Sequence, residues 1–365
     1  MIKNIQLNNF KCFESLNLEL ANLNVLSGIN SMGKSTLVQA LLLLRQSYNL
    51  GSISKGLHLN GEMVNIGIGS DLLYRDSDFD EIRIVVTGEH QTFRWSYEYS
   101  PESDFIQIKN GSNNLGELET LNLFQPDFSY ISADRVAPQR YYRKSYHQVV
   151  DKKQVGYKGE LFADYLAEGG LVEKVANRTV LHPGADNILL SLQVEAWLSE
   201  ISPDIKLGIE EYKQAGVVGV SYALGGASYS FSPLNVGFGI SYVIPIIVSI
   251  LKANPGDLII LENPEAHLHP RGQRKMGELI AKACAGGVQI IVETHSDHLL
   301  NGFRLAVKKK EIDRSHIRLN YFYRQVLDDR VIHAKSSPAI LDDGSLSDWP
   351  EGFFDEWDKA IEELF

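Results

Sequence analysis

Apolar and polar residues alternate at the amino terminus, in Ile2-Lys3-Asn4-Ile5-Gln6-Leu7 and again in Leu16-Asn17-Leu18-Glu19-Leu20. A period of two predicts half-buried strands, here a pair separated by Asn8-Asn9-Phe10-Lys11-Cys12-Phe13. The run Leu23-Asn24-Val25-Leu26 then reads as a more deeply buried strand, and the apolar residues 37–44 read as a helix ending near Tyr48. Residues 51–69, rich in Gly, Ser and Asn, predict a loop-rich connection. Alternation returns over residues 82–100, most clearly in Phe93-Arg94-Trp95-Ser96-Tyr97-Glu98-Tyr99, and over 104–109, which together predict a small antiparallel sheet.

Further along, Phe128-Ser129-Tyr130-Ile131 predicts a strand, residues 160–167 and 187–201 predict helices, and 205–210, 217–222 and 228–231 predict short strands. Leu258-Ile259-Ile260-Leu261 and Val288-Gln289-Ile290-Ile291-Val292 are compact apolar runs suited to buried parallel strands, with an amphipathic helix between them. The tail predicts strands at 317–324 and 330–335 around Leu327-Asp328-Asp329, then an amphipathic helix over 353–365. Trp349, Phe353, Phe354 and Trp357 make either a packed brace or a docking surface there. No heptad pattern is sustained, so a coiled-coil arm is not expected. The longest apolar stretch, 240–251, is interrupted by Pro245 and is shorter than the ~20 residues of a membrane span.

Gly28-Ile29-Asn30-Ser31-Met32-Gly33-Lys34-Ser35-Thr36 falls between the third strand and the first long helix, and fits G-x-x-x-x-G-K-[ST] at every required position. The spacing has a chemical reason. Gly28 and Gly33 let the backbone curl so that successive N–H groups point inward at the positive end of the following helix. Lys34 can reach the β- and γ-phosphate oxygens of a nucleoside triphosphate, and Ser35 offers a hydroxyl to its magnesium ion.

A length of 365 residues suits one large domain with an elaborated insert, or two domains. Cys12 and Cys284 form no motif, and the first strand lacks the apolar core of a signal peptide, so a reducing, cytoplasmic setting is expected. The net charge of −11 argues against a surface that coats nucleic acid uniformly, so any contact with DNA or RNA must be local. Arg140, Arg143, Lys144, Lys152 and Lys153 cluster among tyrosines and are the candidates for such a contact. The alternative is a solvated loop or one paired with acidic neighbours.

A second set of motifs follows in Leu261-Glu262-Asn263-Pro264-Glu265-Ala266-His267-Leu268-His269-Pro270 and Glu293-Thr294-His295-Ser296-Asp297-His298. The histidines show no spacing typical of a zinc site, so a structural or phosphate-sensing role is expected of them. Together with the phosphate loop, this order resembles the ABC-type ATPase heads of the SMC, RecF and OLD-like branch. In detail it is similar to a compact set of ATPases whose tail reads as Asp348-Trp349-Pro350-Glu351-Gly352-Phe353-Phe354-Asp355-Glu356 does here.

The resemblance implies an α/β fold: a P-loop NTPase head with a mixed β-sheet, an antiparallel β lobe and a helical and β insert. It implies an ATPase domain over 1–310, divided into a P-loop lobe (1–50), an inserted lobe (51–232) and a lobe with the remaining motifs (233–310), followed by a tail at 311–365. ATP and magnesium are the implied ligands. Gly28, Asn30, Ser31, Gly33, Lys34, Ser35 and Thr36 would bind the nucleotide, and Ser35 and Glu262 the metal. Glu262 matches the Walker B acid and His295 the switch histidine. Asn235, Gly237, Gly239 and Ser241 stand at the ABC signature, which caps the nucleotide of a second subunit, so a head-to-head homodimer is implied.

The sequence departs from this family where Asn263 follows Glu262 in place of a second acid. An amide has no useful proton affinity at neutral pH, so Asn263 is no general base. Either Glu265 activates water and turnover is slow, or the head binds ATP and dimerises without hydrolysis. The stretch after His295 holds no acidic set of the kind a fused nuclease needs. The expectation is therefore an ATP-driven dimeric switch that senses nucleic acid or a protein signal and controls a separate effector, in bacterial antiviral defence or DNA maintenance. Its rival is a nucleotide-dependent scaffold.

Overall fold

The computed structural model describes residues 1–112, 114–225, 229–327, 330–354 and 356–364. The chain opens with strands β1 (Asn4–Phe10), β2 (Phe13–Glu19) and β3 (Leu23–Gly28), then helix α1 (Lys34–Asn49) and strand β4 (Gly56–His58). Strands β5 (Glu81–Thr87), β6 (Thr92–Glu98) and β7 (Phe105–Gly111) and a single helical turn, α2 (Leu115–Leu118), follow. Next come β8 (Ser129–Ile131), β9 (Tyr141–Arg143), α3 (Phe162–Gly169), α4 (Leu190–Ile201), β10 (Ile205–Tyr212) and β11 (Val217–Leu224). The remainder is α5 (Phe238–Lys252), β12 (Leu258–Glu262), α6 (Pro270–Ala285), β13 (Gln289–Glu293), α7 (Asp297–Lys308), β14 (Ile317–Leu327), β15 (Arg330–Ser336) and α8 (Glu356–Leu364).

These elements form two compact units. The first comprises Met1–Gln125, Ile317–Ala339 and Asp348–Phe365, and the second Pro126–His316 and Ile340–Ser347. In the first unit a six-stranded sheet runs in the order β2-β1-β5-β6-β7-β4. All its neighbours are antiparallel. The period-two pattern is realised as one buried face, with Ile5, Leu7, Ile82, Ile84, Val86, Phe93, Trp95 and Tyr97 inside and polar residues such as Gln6, Arg83 and Arg94 outside. Burying each large side chain contributes about 2–3 kcal/mol, which also sets the register. β3 pairs in parallel with β14, which pairs antiparallel with β15. α1 is buried nearly all round, as its run of apolar residues dictates.

In the second unit β8, β12 and β13 pair in parallel, with Glu262 in register with Glu293 at the strand ends. A separate antiparallel sheet has the order β10-β11-β9. Pro245 lies within α5 rather than ending it, and its ring packs against Gly159. Among the described residues no helix is long and apolar enough to cross a membrane.

Some local expectations change. The connection 51–69 contains strand β4, the strand expected over 228–231 is reduced among the described residues to a bridge between Phe231 and Tyr222, and the final helix starts at Glu356 instead of Phe353. Gly352 and Phe354 have φ of 79° and 51°, which no right-handed helix accommodates. Phe353 is instead a buried anchor, edge-on to Tyr321 at 5.4 Å and flanked by Trp349 and Phe354. Ser228, the turn residues Asp328 and Asp329, Asp355, Phe365 and the side chain of Trp357 lie outside the described residues.

Candidate active site

The phosphate-loop motif sits where β3 ends and α1 begins, with Gly33 at the helix cap. Gly28, Ser31 and Gly33 have φ of 140°, 65° and 102°, so the chain turns through the left-handed region three times within six residues. Gly28 and Gly33 also have no room for a side chain. A Cβ on Gly28 would lie 2.3 Å from the Phe322 carbonyl oxygen, and one on Gly33 would lie 2.5 Å from the Phe13 ring. Lys34 is 3% exposed, and its ammonium donates to the carbonyls of Gly28 at 2.8 Å and Ile29 at 2.9 Å, bridging back across the loop. Asn30 and Ser35 are exposed, whereas Thr36 is buried with its hydroxyl 3.4 Å from the Cys12 sulfur. Burial pushes the Cys12 thiol pKa up.

Lys11, Cys12, Gly33, Lys34, Thr36 and Asp71 help to line an open cleft of ≈ 580 Å³ beside this loop. The groups present fit a magnesium triphosphate. A cation is gathered in by the loop, the first turn of a 16-residue helix supplies backbone N–H groups, and Ser35 is exposed on that turn.

The acidic motifs lie in the second unit. Glu262 ends β12, and its Oε2 accepts the Ala133 N–H at 3.0 Å. Burial raises its pKa against the opposing effects of Ala133, the Tyr130 hydroxyl and Arg135. Asn263 follows with φ 44°, a conformation that asparagine tolerates better than most residues, and its N–H donates to the Glu293 carbonyl at 2.8 Å. The turn that results carries Glu265. One carboxyl oxygen of Glu265 accepts the His295 N–H at 2.9 Å, and the other is buried with no hydrogen-bond partner among the described residues. Burial raises the Glu265 pKa too, opposed by hydrogen bonds from His295 and Thr294 and by the charge of Arg135. The His295 side chain is exposed just beyond β13.

Arg135, shortly before the basic candidates along the chain, is not among the residues singled out from the sequence. It is 3% exposed, and donates to the carbonyls of Ser132 at 3.1 Å, Glu262 at 2.9 Å and Asn263 at 2.7 Å, with its guanidinium 5.6 Å from the Tyr242 ring. The one sequence signal was its place just after strand β8. By holding two successive carbonyls of the Glu262-Asn263 turn it fixes the backbone from which Glu262 and Glu265 project. Arg135→Ala should lower stability by about 3 kcal/mol, because buried carbonyls lose a charged donor. Urea denaturation checks this, and an unmoved midpoint would show that the turn holds itself.

The signature candidates divide. Asn235 and Gly237 are exposed ahead of α5. Gly239 packs against the His267 carbonyl, which a Cβ would approach to 2.4 Å, and Ser241 is buried with its hydroxyl 3.0 Å from that of Tyr222. His269 caps α6 by accepting the Arg271 N–H, and the His267 ring lies 5.0 Å from Tyr242.

The basic segment divides as well. Lys144 pairs with Asp164, Glu168 and Glu211, and Arg143 pairs with Glu160. Arg140, Lys152 and Lys153 are exposed.

A glycine-turned phosphate loop on a strand–helix junction, and buried parallel strands that end in acids, define a P-loop ATPase head. Comparison with solved structures agrees on the fold. The Smc head bound to the C-winged helix domain of ScpA is similar with a TM-score of 0.54 at 11% identity, over 92% of this chain and 97% of that one. An Smc head domain with an extended coiled coil, bound to the C-terminal domain of ScpA and derived from Pyrococcus furiosus, gives 0.51 at 11% identity, over 100% and 99% of the two chains. Residues 23–301 match the family described as "AAA domain, putative AbiEii toxin, Type IV TA system", and the chain belongs to that AAA family. Residues 312–364 match a second family, described as a protein of unknown function (DUF3696). No curated protein matches the sequence.

Proposed function

We propose that this chain binds ATP with magnesium, dimerises around it and hydrolyses it slowly, as a switch that controls a separate effector. The observation that carries the reading is Lys34, buried and bridged to the Gly28 and Ile29 carbonyls at the start of α1. An ammonium so placed balances phosphate charge, and the start of α1 adds the positive end of the helix. Ser35 and Glu262 would hold magnesium, which when bound neutralises charge on the phosphates. Glu265 is the acid assigned to water activation: one oxygen is anchored by His295 and the other is uncommitted. His295, exposed beyond β13, would sense the terminal phosphate.

Asn235 and Gly237, exposed before α5, would cap the nucleotide of a second copy of the chain. Solved Smc heads are bound to ScpA, and the matched family description names a toxin of a type IV system. The first supports a partner protein outside the head. Nucleic acid, if sensed through the basic segment, would meet Arg140, Lys152 and Lys153, because Arg143 and Lys144 are committed to carboxylates.

The test is ATP turnover by the purified chain with magnesium, combined with its mass by light scattering with and without ATP. Turnover on the order of 1 per minute or slower, with an ATP-dependent dimer, is expected for a site whose base is weakly placed. An ATP-dependent dimer without turnover would favour the scaffold, which the presence of Asn263 after Glu262 motivates. No nucleotide binding would end both readings.

A further inference from the structure

We propose that the hairpin β14–β15 braces the phosphate loop, with Arg324 and His333 as positioning residues that hold Ser31 in its left-handed conformation. The inference rests on reading residues 28–36 as the nucleotide site. It gives part of the separately matched segment 312–364 a task in that site.

Three points of the loop meet the hairpin or a ring packed on it. At the first, the Phe322 carbonyl of β14 lies under Gly28. At the third, the Phe13 ring fills the space under Gly33, and that ring is packed between β14 and β15, with its centroid 5.9 Å from Phe322 and 6.0 Å from His333. The middle point is different in kind. Ser31 has φ 65° and carries a Cβ, so its conformation is strained, whereas the two glycines adopt theirs freely.

The brace at Ser31 is a cross-strand pair. Arg324 and His333 stand opposite each other in the hairpin register. Arg324 Nη2 donates to the Ser31 carbonyl at 3.2 Å and its Nε donates to His333 Nε2 at 3.2 Å, while His333 Nε2 lies 3.4 Å from the same carbonyl oxygen. Burial lowers the His333 pKa, and the neighbouring Arg324 charge adds to this, in keeping with a neutral ring whose Nε2 accepts from the arginine; His333 thus acts on Ser31 by orienting Arg324, which is the one of the pair that donates to the Ser31 carbonyl. The one strained non-glycine residue of the loop is thus the one gripped by side chains from the hairpin. Without the grip Ser31 relaxes to an ordinary φ, the amides no longer converge, and ATP binding must restore them at the expense of affinity.

The experiment is a double-mutant cycle on Mg-ATP affinity by calorimetry, using the full chain, Arg324→Ala, Ser31→Gly and the double variant, with melting curves of all four. Arg324→Ala should weaken binding about five- to tenfold, with a melting midpoint near that of the parent. In the Ser31→Gly background the same substitution should weaken it by less than about twofold, because glycine holds the left-handed conformation unaided. If Arg324→Ala does not fold, Arg324→Gln takes its place in the cycle. Unchanged affinity in Arg324→Ala, or an equal loss in both backgrounds, overturns the brace while leaving the nucleotide site standing. A parent chain that binds no Mg-ATP overturns both.

Discussion

Lys34→Ala should abolish measurable ATP binding, with an affinity loss of at least about 100-fold, and turnover should fall to background. The expected size follows from the position of the ammonium. At 3% exposure it is poorly solvated, so its attraction for a phosphate anion is far less damped than at the surface. Methionine would fill much of the same space without the charge or the hydrogen bonds to Gly28 and Ile29; alanine removes the volume as well. Ile29 is exposed and Gly28 half-buried, so water can replace the donor at the Ile29 carbonyl and the fold should survive. Calorimetry with ATP, alongside a melting curve, separates the two effects. An unaltered ATP affinity in a folded variant would defeat the assignment of residues 28–36.

Glu265→Gln should reduce turnover by about 100- to 1000-fold while sparing ATP binding, so that an ATP-bound dimer accumulates. The amide keeps an oxygen for the His295 N–H, which preserves the anchored half of the side chain, and removes proton affinity from the uncommitted half. The pH dependence has a definite sign. Burial raises the Glu265 pKa above its usual value of 4.5, so the base form, and with it the turnover rate, is lost as pH falls through that raised value. For stability the sign is opposite. A carboxyl with a raised folded-state pKa contributes most below its unfolded value, and that contribution is lost as pH rises through the folded one. Glu265→Gln should therefore melt no lower than the parent at neutral pH. Stopped single turnovers and light scattering read the rate and the dimer together, and wild-type turnover in the variant would remove Glu265 from the chemistry.

The phosphate loop and the acidic motifs were legible to different degrees. The phosphate loop could be read in full, because its demands are local: glycines where the backbone turns through positive φ, a lysine and a hydroxyl at fixed offsets, a strand before and a helix after. The ends of β12 and β13 could be read as acids on apolar strands, but their environment could not. Glu265 has one anchored and one uncommitted oxygen because His295, thirty residues away, donates to it, and spacing along the chain does not encode that contact. Ser241 looked like part of an exposed signature and instead bonds Tyr222 inside the unit, since the face of α5 that is buried depends on what packs against it.

The basic segment makes the same point with charge. Arg135, Arg143 and Lys144 are alike in charge and close along the chain. Folding gave Arg135 two backbone carbonyls at the end of β12 and Lys144 three carboxylates from α3 and β10, and left Arg140 outside.

By itself, then, the sequence determined the P-loop fold class, most of the strands and helices and the phosphate-loop motif, because periodicity and short-range backbone geometry are written into neighbouring positions. Tertiary structure alone decided that Arg135 holds the Glu262-Asn263 turn, that Glu265 keeps one uncommitted oxygen, and that Arg324 and His333 reach Ser31. Each of these depends on groups far apart in the chain whose pairing is selected by burial, where an unmatched polar group is costly and no local pattern records the partner.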